Sequence, residues 1–263
     1  MNLLSAVLLL VRGLPLELAI AVARIFTVIY LFFRHDYRRE IEINQRLLLG
    51  SRNRWFWLRN GWCIGRNLAL MAKLGTPAGN KLIDSAVIYR ENIDDGSVQT
   101  GGQSAWIMAS FHFGVWEFLP GIYRGHGQDV AVIVGDMHDK RFNLMVRRLR
   151  SKTGIKVINR ARMLIEQLRR PGITGFMLDN TARGTRIQIV LDGVTFRIPA
   201  LPFAFGRRRG CGVIPVFCYW DHGRLRVRVF EPEGPEGCIR ALVQMVRERP
   251  AEWIFWGKAG AVS

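Results

Sequence analysis

The sequence predicts an α/β fold: a central mixed sheet flanked by helices, preceded by an apolar N-terminal helical segment that associates with a membrane. Three observations carry this. From Ser104 onward, short β-rich apolar runs alternate with runs of helical length and period. Leu225, Val227 and Val229 alternate with Arg226 and Arg228, the pattern of a half-buried antiparallel strand near a sheet edge. Residues 3–33 are strongly apolar, interrupted only by the charges of Arg12, Glu17 and Arg24. The division this implies is a membrane-associated segment over residues 1–35 and one α/β domain over 36–263, with no internal repeat or linker.

Taken in order, the N-terminal stretch has uncharged runs at Leu3–Val11 and Ile25–Phe33, neither reaching the roughly 18 residues of a free-standing span. One or two helices lying in the membrane interface fit better. Arg34, Arg38 and Arg39 follow at once and suit anionic headgroups on the cytoplasmic side. Residues 36–75 read as helical and carry Trp55, Trp57 and Trp62, which fit a core or a membrane-facing aromatic belt equally well. AVIYRE is a short strand, and SVQTGGQS a loop. Strands are then predicted at Trp106–Phe111, Val130–Val134, Ile155–Ile158, Ile173–Leu178, Ile187–Val190, Val213–Tyr219 and Leu225–Phe230. Helices are predicted at Val115–Tyr123, Arg141–Thr153, Ala161–Arg170, Ala200–Arg208 and Gly237–Arg249, the last stopped by Pro250.

The stretch WIMASFHFGVWEF, Trp106–Phe118, holds the chemistry. His112 and Glu117 are five residues apart, which on one α-helix would splay them by about 140°. They can meet if the strand ends at His112, Gly114 turns the chain and a helix opens behind it. An imidazole at the carboxyl end of a strand, oriented by a carboxylate, is a general base for a hydroxyl. Ser110, two residues before His112, is a weaker alternative as a nucleophile.

Other strand ends deliver further polar groups. Arg160 follows KVIN and suits a phosphate or a developing oxyanion. Asp179 and Asn180 end the strand ITGFML, with Arg183 and Gly184 just beyond. Turn formation and N-capping explain Asp179 and Asn180 as readily as ligand binding does.

HFGVWE, following an apolar strand, resembles the His-x-x-x-x-Glu block of the late lipid A acyltransferases, within the wider lysophospholipid acyltransferase-like superfamily. Further blocks resemble theirs in the same order: Arg160, LDN, Pro199-Ala200, VIPV and EWIFW. Asn180 stands where the family usually has Gln, the Gly of its Gly-Pro-Ala block is lacking, and the basic-aromatic tail after the second Trp is reduced to Gly257-Lys258. The resemblance implies transfer of a fatty acyl chain from an acyl thioester to a hydroxyl of a lipid or glycolipid. His112 would be general base, Glu117 its orienting carboxylate, and Arg160, Asp179, Asn180, Arg183 and Gly184 would bind substrate. It implies acyl carrier protein or coenzyme A as donor carrier and the cytoplasmic face of an inner membrane as location; no resident cofactor is expected, and no metal, since no His/Asp/Glu set stands at ligand spacing.

A net charge of +17 favours an anionic partner: an anionic membrane surface, an acidic carrier protein or a phosphorylated substrate. The four cysteines lack C-x-x-C spacing and the histidines lack a ligand cluster, so reduced thiols are expected. A glycerophospholipid-type acyltransferase is the nearest rival; such proteins more often have Asp where this chain has Glu117. A basic nucleic-acid-binding protein fits the charge but leaves the apolar N-terminus unexplained, and no such motif is found, so no nucleic-acid partner is expected. A non-catalytic membrane scaffold is the third.

Overall fold

Hydrophobic cores on both faces of a seven-stranded mixed sheet organise the chain. The computed structural model describes residues 9–90, 105–133, 150, 155–158, 161–167, 170–179, 184–254, 256 and 260–261.

After a helical stretch at residues 9–13 come α1 (Leu16–Phe32), α2 (His35–Leu49), α3 (Phe56–Ala72) and α4 (Pro77–Asp84). The chain continues through β1 (Val87–Arg90) and β2 (Ala105–Ser110) to a 3-10 turn at Trp116–Phe118. Then follow α5 (Leu119–Gly125), β3 (Val130–Ile133), β4 (Lys156–Ile158), α6 (Ala161–Gln167) and β5 (Gly172–Met177). A hairpin of β6 (Arg186–Leu191) and β7 (Val194–Pro199) leads to α7 (Leu201–Arg209), β8 (Val213–Asp221) and β9 (Arg224–Val229). Last come α8 (Pro235–Glu248), a 3-10 turn at Pro250–Glu252 and a short β10 (Gly260–Ala261).

The large sheet has the order β1-β9-β8-β2-β5-β3-β4. β8, β2, β5, β3 and β4 run parallel, while β9 is antiparallel to β8 and parallel to β1. Central strands are buried on both sides, so alternate residues feed different cores. On β2, Ile107 and Ala109 join one core and Trp106 and Met108 the other. β9 keeps the alternation read from the sequence, with Leu225, Val227 and Val229 buried, and lies one strand in from the edge.

Two expectations need correction. β7 was not foreseen: Ile198 and Pro199, just ahead of the helix predicted at Ala200–Arg208, end a strand. The hairpin closes through Asp192 and Gly193, both at positive φ, as the turn between right-twisting strands demands. With β10 it forms a separate three-stranded sheet. The helix predicted for Val115–Tyr123 begins as a 3-10 turn and becomes α-helical only at Leu119. The helix predicted over 141–153 lies outside the described residues apart from Arg150.

The N-terminal helices form a layer of their own. α1 buries Ala19, Ile20, Ala23, Thr27 and Leu31, the stripe that meets α3. Its other face leaves Leu18, Ile25, Phe26, Ile29, Tyr30 and Phe32 exposed. Of the three early tryptophans, Trp57 is buried while Trp55 and Trp62 are exposed. Among the described residues no single helix is long and apolar enough to cross a membrane; α1 and α2 pass together by length and composition but are bent by 92°.

Close approach of α1 and α3 rests on two glycines four apart on one face of α3. A Cβ at Gly65 would lie 2.5 Å from the Cα of Arg24, whereas one at Gly61 would come no closer than 3.0 Å, to the end of the Leu31 side chain, with Val28 at 3.5 Å. Gly65→Ala should therefore push the helices apart and cost about 1–3 kcal/mol, with Gly61→Ala clearly milder. Denaturant midpoints of the two variants check this; equal midpoints would refute the close-approach account.

Candidate active site

The site is a consequence of register. β2 and β5 are parallel neighbours with Ser110 opposite Met177. His112 lies two residues past Ser110 and Asp179 two residues past Met177, so both emerge together at the carboxyl end of the sheet. Leu178 N–H extends the ladder to Ser110 O at 2.8 Å. Beyond it, His112 Nδ1 and Asp179 Oδ1 are 2.7 Å apart.

Asp179 receives two further donors, both on Oδ2: the His112 backbone N–H at 2.8 Å and the Trp253 indole N–H at 3.1 Å. A carboxylate can only accept here, so Nδ1 carries the proton and Nε2 the lone pair of the neutral ring. The imidazole is 16% exposed and the Asp179 side chain only 7%.

This corrects the expectation that Glu117 fixes the imidazole tautomer. Nδ1 belongs to Asp179, a residue expected only among those binding substrate. Glu117 is turned into the protein and ion-paired with Arg150, whose Nε and Nη2 reach its two oxygens at 2.9 and 2.5 Å. The Trp116 indole N–H adds a third bond at 3.2 Å. Burial alone would raise the Glu117 pKa; the Arg150 guanidinium outweighs it, and His112 contributes in the same direction, so the carboxyl lies below its ordinary value. Glu117 is thus within electrostatic reach of His112, and the Trp116 ring packs 4.9 Å from the imidazole, centre to centre.

The turn that makes this possible needs Gly114. Its φ is +59°, and a Cβ there would lie 2.2 Å from the Cys218 carbonyl oxygen. Ser110 does not serve His112: its hydroxyl donates to Val216 O at 3.0 Å and is buried. A narrow cavity of about 40 Å³ runs beside the ion pair, lined by Met108, Leu119, Ile133, Phe176 and Met177 among others. Gly184, with φ +92°, lies just before β6. Arg160, Asn180 and Arg183 lie outside the described residues.

Sequence reasoning missed the strap from Pro250 to Trp256, which it saw only as a block of family-like residues. Gly114 N–H bonds Glu252 O at 2.9 Å, and Ile254 N–H bonds His112 O at 3.1 Å. The strap is held in turn by α2 and α3. Arg66 grips the Glu252 carboxylate at 2.5 and 2.6 Å, with Asn67 at 3.1 Å. Asn60 donates to Ala251 O and Trp253 O at 3.0 and 2.9 Å, Tyr37 donates to Ile254 O at 2.8 Å, and Asn44 caps Trp256 O. Asn60 and Asn67, seven apart on an otherwise apolar face, were the available signal.

Among the described residues no three His, Cys, Asp or Glu side chains converge as metal ligands. No protein-family model matches the chain, and no curated protein matches it.

The buried Glu117–Arg150 pair sets a pH dependence. A depressed carboxyl pKa contributes stability that is complete above the ordinary glutamate value of about 4.3 and is lost as pH falls through the folded value. Glu117→Gln should flatten that acid limb in urea midpoints measured across pH. Arg150→Met should cost about 3–5 kcal/mol and reverse the sign, because burial then dominates and acid favours the neutral carboxyl. An unchanged acid limb in Glu117→Gln would show that the pair is not its source.

Proposed function

We propose that this chain is a membrane-surface O-acyltransferase, moving a fatty acyl chain from an acyl thioester to a hydroxyl of a lipid or glycolipid. The observation that carries the reading is the His112–Asp179 pair at the carboxyl ends of two adjacent parallel strands. The exposed apolar and aromatic face of α1 and α3 supports a lipid acceptor and attachment to a membrane surface; the resemblance points to the cytoplasmic face of an inner membrane. The resemblance of HFGVWE and the later blocks to the late lipid A acyltransferases points the same way, with acyl carrier protein or coenzyme A carrying the donor chain.

In this mechanism Nε2 of His112 takes the proton of the acceptor hydroxyl as its oxygen attacks the thioester carbonyl carbon. Asp179 stabilises the imidazolium that forms, as a triad carboxylate does. Collapse of the tetrahedral intermediate breaks the C–S bond, and the imidazolium returns the proton to the departing thiolate. The products are an ester and a free carrier thiol. Glu117, held anionic by Arg150, adds negative potential near the imidazolium without bonding Nδ1. Arg160, Asn180, Arg183 and Gly184 remain the proposed contacts for substrate.

Lipid mass spectrometry on host cells expressing wild type, His112→Ala or empty vector tests this. A lipid heavier by one acyl chain should appear with wild type alone, its identity separating a glycolipid acceptor from a glycerophospholipid. In vitro, His112→Ala should lose about 10²–10⁴-fold in kcat. Asp179→Asn should lose on the same order, with KM little changed, because an amide permits the wrong tautomer. Folded His112→Ala with full activity would end the proposal.

A further inference from the structure

We infer that the basin between α2 and the start of α3 binds the phosphate of an anionic lipid headgroup. This rests on the membrane-surface part of the reading above, not on the chemistry at His112.

The basin is an open hollow of about 380 Å³ lined by His35, Arg38, Arg39, Glu42, Arg54, Trp55 and Trp57. The four α2 residues fall at i, i+3, i+4 and i+7, so they form one stripe of the helix. Its charge is strongly positive. Glu42 is neutralised from outside the lining by Arg52, at 2.8 Å. Among the described residues no carboxylate forms an ion pair with Arg38, Arg39 or Arg54.

The donors are also arranged. Arg38 is flanked by two rings, with its guanidinium carbon 5.5 Å from the Phe32 centroid and 5.1 Å from that of Trp57. Its Nη2 donates to His35 Nδ1 at 2.6 Å. A guanidinium cannot accept, so the closer Nδ1 is the acceptor; Nε2 lies 3.4 Å from the same Nη2. Arg54 stacks over Trp55 at 4.9 Å. Planar guanidiniums held on aromatic faces suit bidentate recognition of phosphate oxygens.

The surroundings select a lipid as the source of that phosphate. Phe32, Phe33 and Trp55, beside the basin, are 55%, 70% and 55% exposed, and the open face of α1 continues the apolar surface through Ile25, Phe26 and Ile29. Apolar groups adjoining cations match acyl chains adjoining headgroups; a soluble anion has no use for them. The basin also adjoins the reactive segment. Tyr37, on the same turn of α2, bonds Ile254 O, and Ile254 N–H bonds the His112 carbonyl.

The test is sedimentation of the purified full chain with vesicles of phosphatidylcholine alone, or with about one fifth phosphatidylglycerol. The variants are Arg39→Gln/Arg54→Gln, both outside the hydrogen-bonded core, and Arg207→Gln/Arg208→Gln, which removes equal charge from the end of α7, just ahead of β8 and outside the basin lining. The first pair should weaken binding to anionic vesicles about 25-fold, roughly fivefold per charge, and leave binding to neutral vesicles unchanged. The α7 pair should change either by less than about twofold. Equal loss in both pairs would mean general basicity and overturn the site, as would wild-type binding by the first pair. Displacement from anionic vesicles by millimolar inorganic phosphate at constant ionic strength would assign the basin to a soluble anion instead. Wild type that sediments with neither vesicle would remove the membrane reading itself.

Discussion

The Asp179 carboxylate is the constraint on which the site depends. A charge with only 7% of its side chain exposed is tolerable only if its oxygens are bonded, and its three N–H donors come from two separate parts of the chain. Two come from the end of β2, as the His112 backbone and ring; one comes from the C-terminal strap, as the Trp253 indole. Satisfying one carboxylate thus links the strand register, the imidazole tautomer and the path of the turn at residues 250–253. The parallel pairing of β2 with β5 is what makes the meeting possible. A slip of one residue would move each side chain to the opposite face.

Much of the framework was legible because it follows from periodicity. Strand runs such as Val213–Tyr219 and the alternation at Leu225–Val229 carry their burial pattern in the residues themselves. The turn at Gly114 was legible for a similar reason, since a glycine between an apolar strand and a helical run marks a reversal. β7 was not read, although Asp192-Gly193 is a strong hairpin signal; Arg197 and Pro199 break up its apolar run. The carboxylate partner of His112 was misassigned for a deeper reason. Glu117 is near in sequence, while Asp179 is 67 residues away. Periodicity names strands but not their neighbours, so only the sheet order brings these two strand ends side by side.

Glu117 shows why proximity in sequence is a poor guide to pairing in a buried site. A carboxylate so enclosed must find a strong partner or become neutral. Arg150 supplies two charge-assisted bonds, geometry that a single imidazole nitrogen cannot match. With Arg150 there, Glu117 stays anionic and acts on His112 through space. The division of labour is physically sensible: one carboxylate holds the ring, and the other shapes the potential around it.

The N-terminal layer is bound to the site by polar bonds in an otherwise apolar setting. Arg66, Asn60, Asn67, Asn44 and Tyr37 all reach the strap, and the strap reaches Asp179 and the His112 carbonyl. Apolar packing alone would tolerate sliding between the layers, because such contacts are non-directional. A buried Arg66–Glu252 pair adds little net stability but penalises every misaligned arrangement, since any shift strands a charge. The helices that carry the exposed apolar face therefore cannot change their seat without disturbing the groups that orient the imidazole. On the proposed function, the geometry of the base and the geometry of the membrane contact are set by the same bonds.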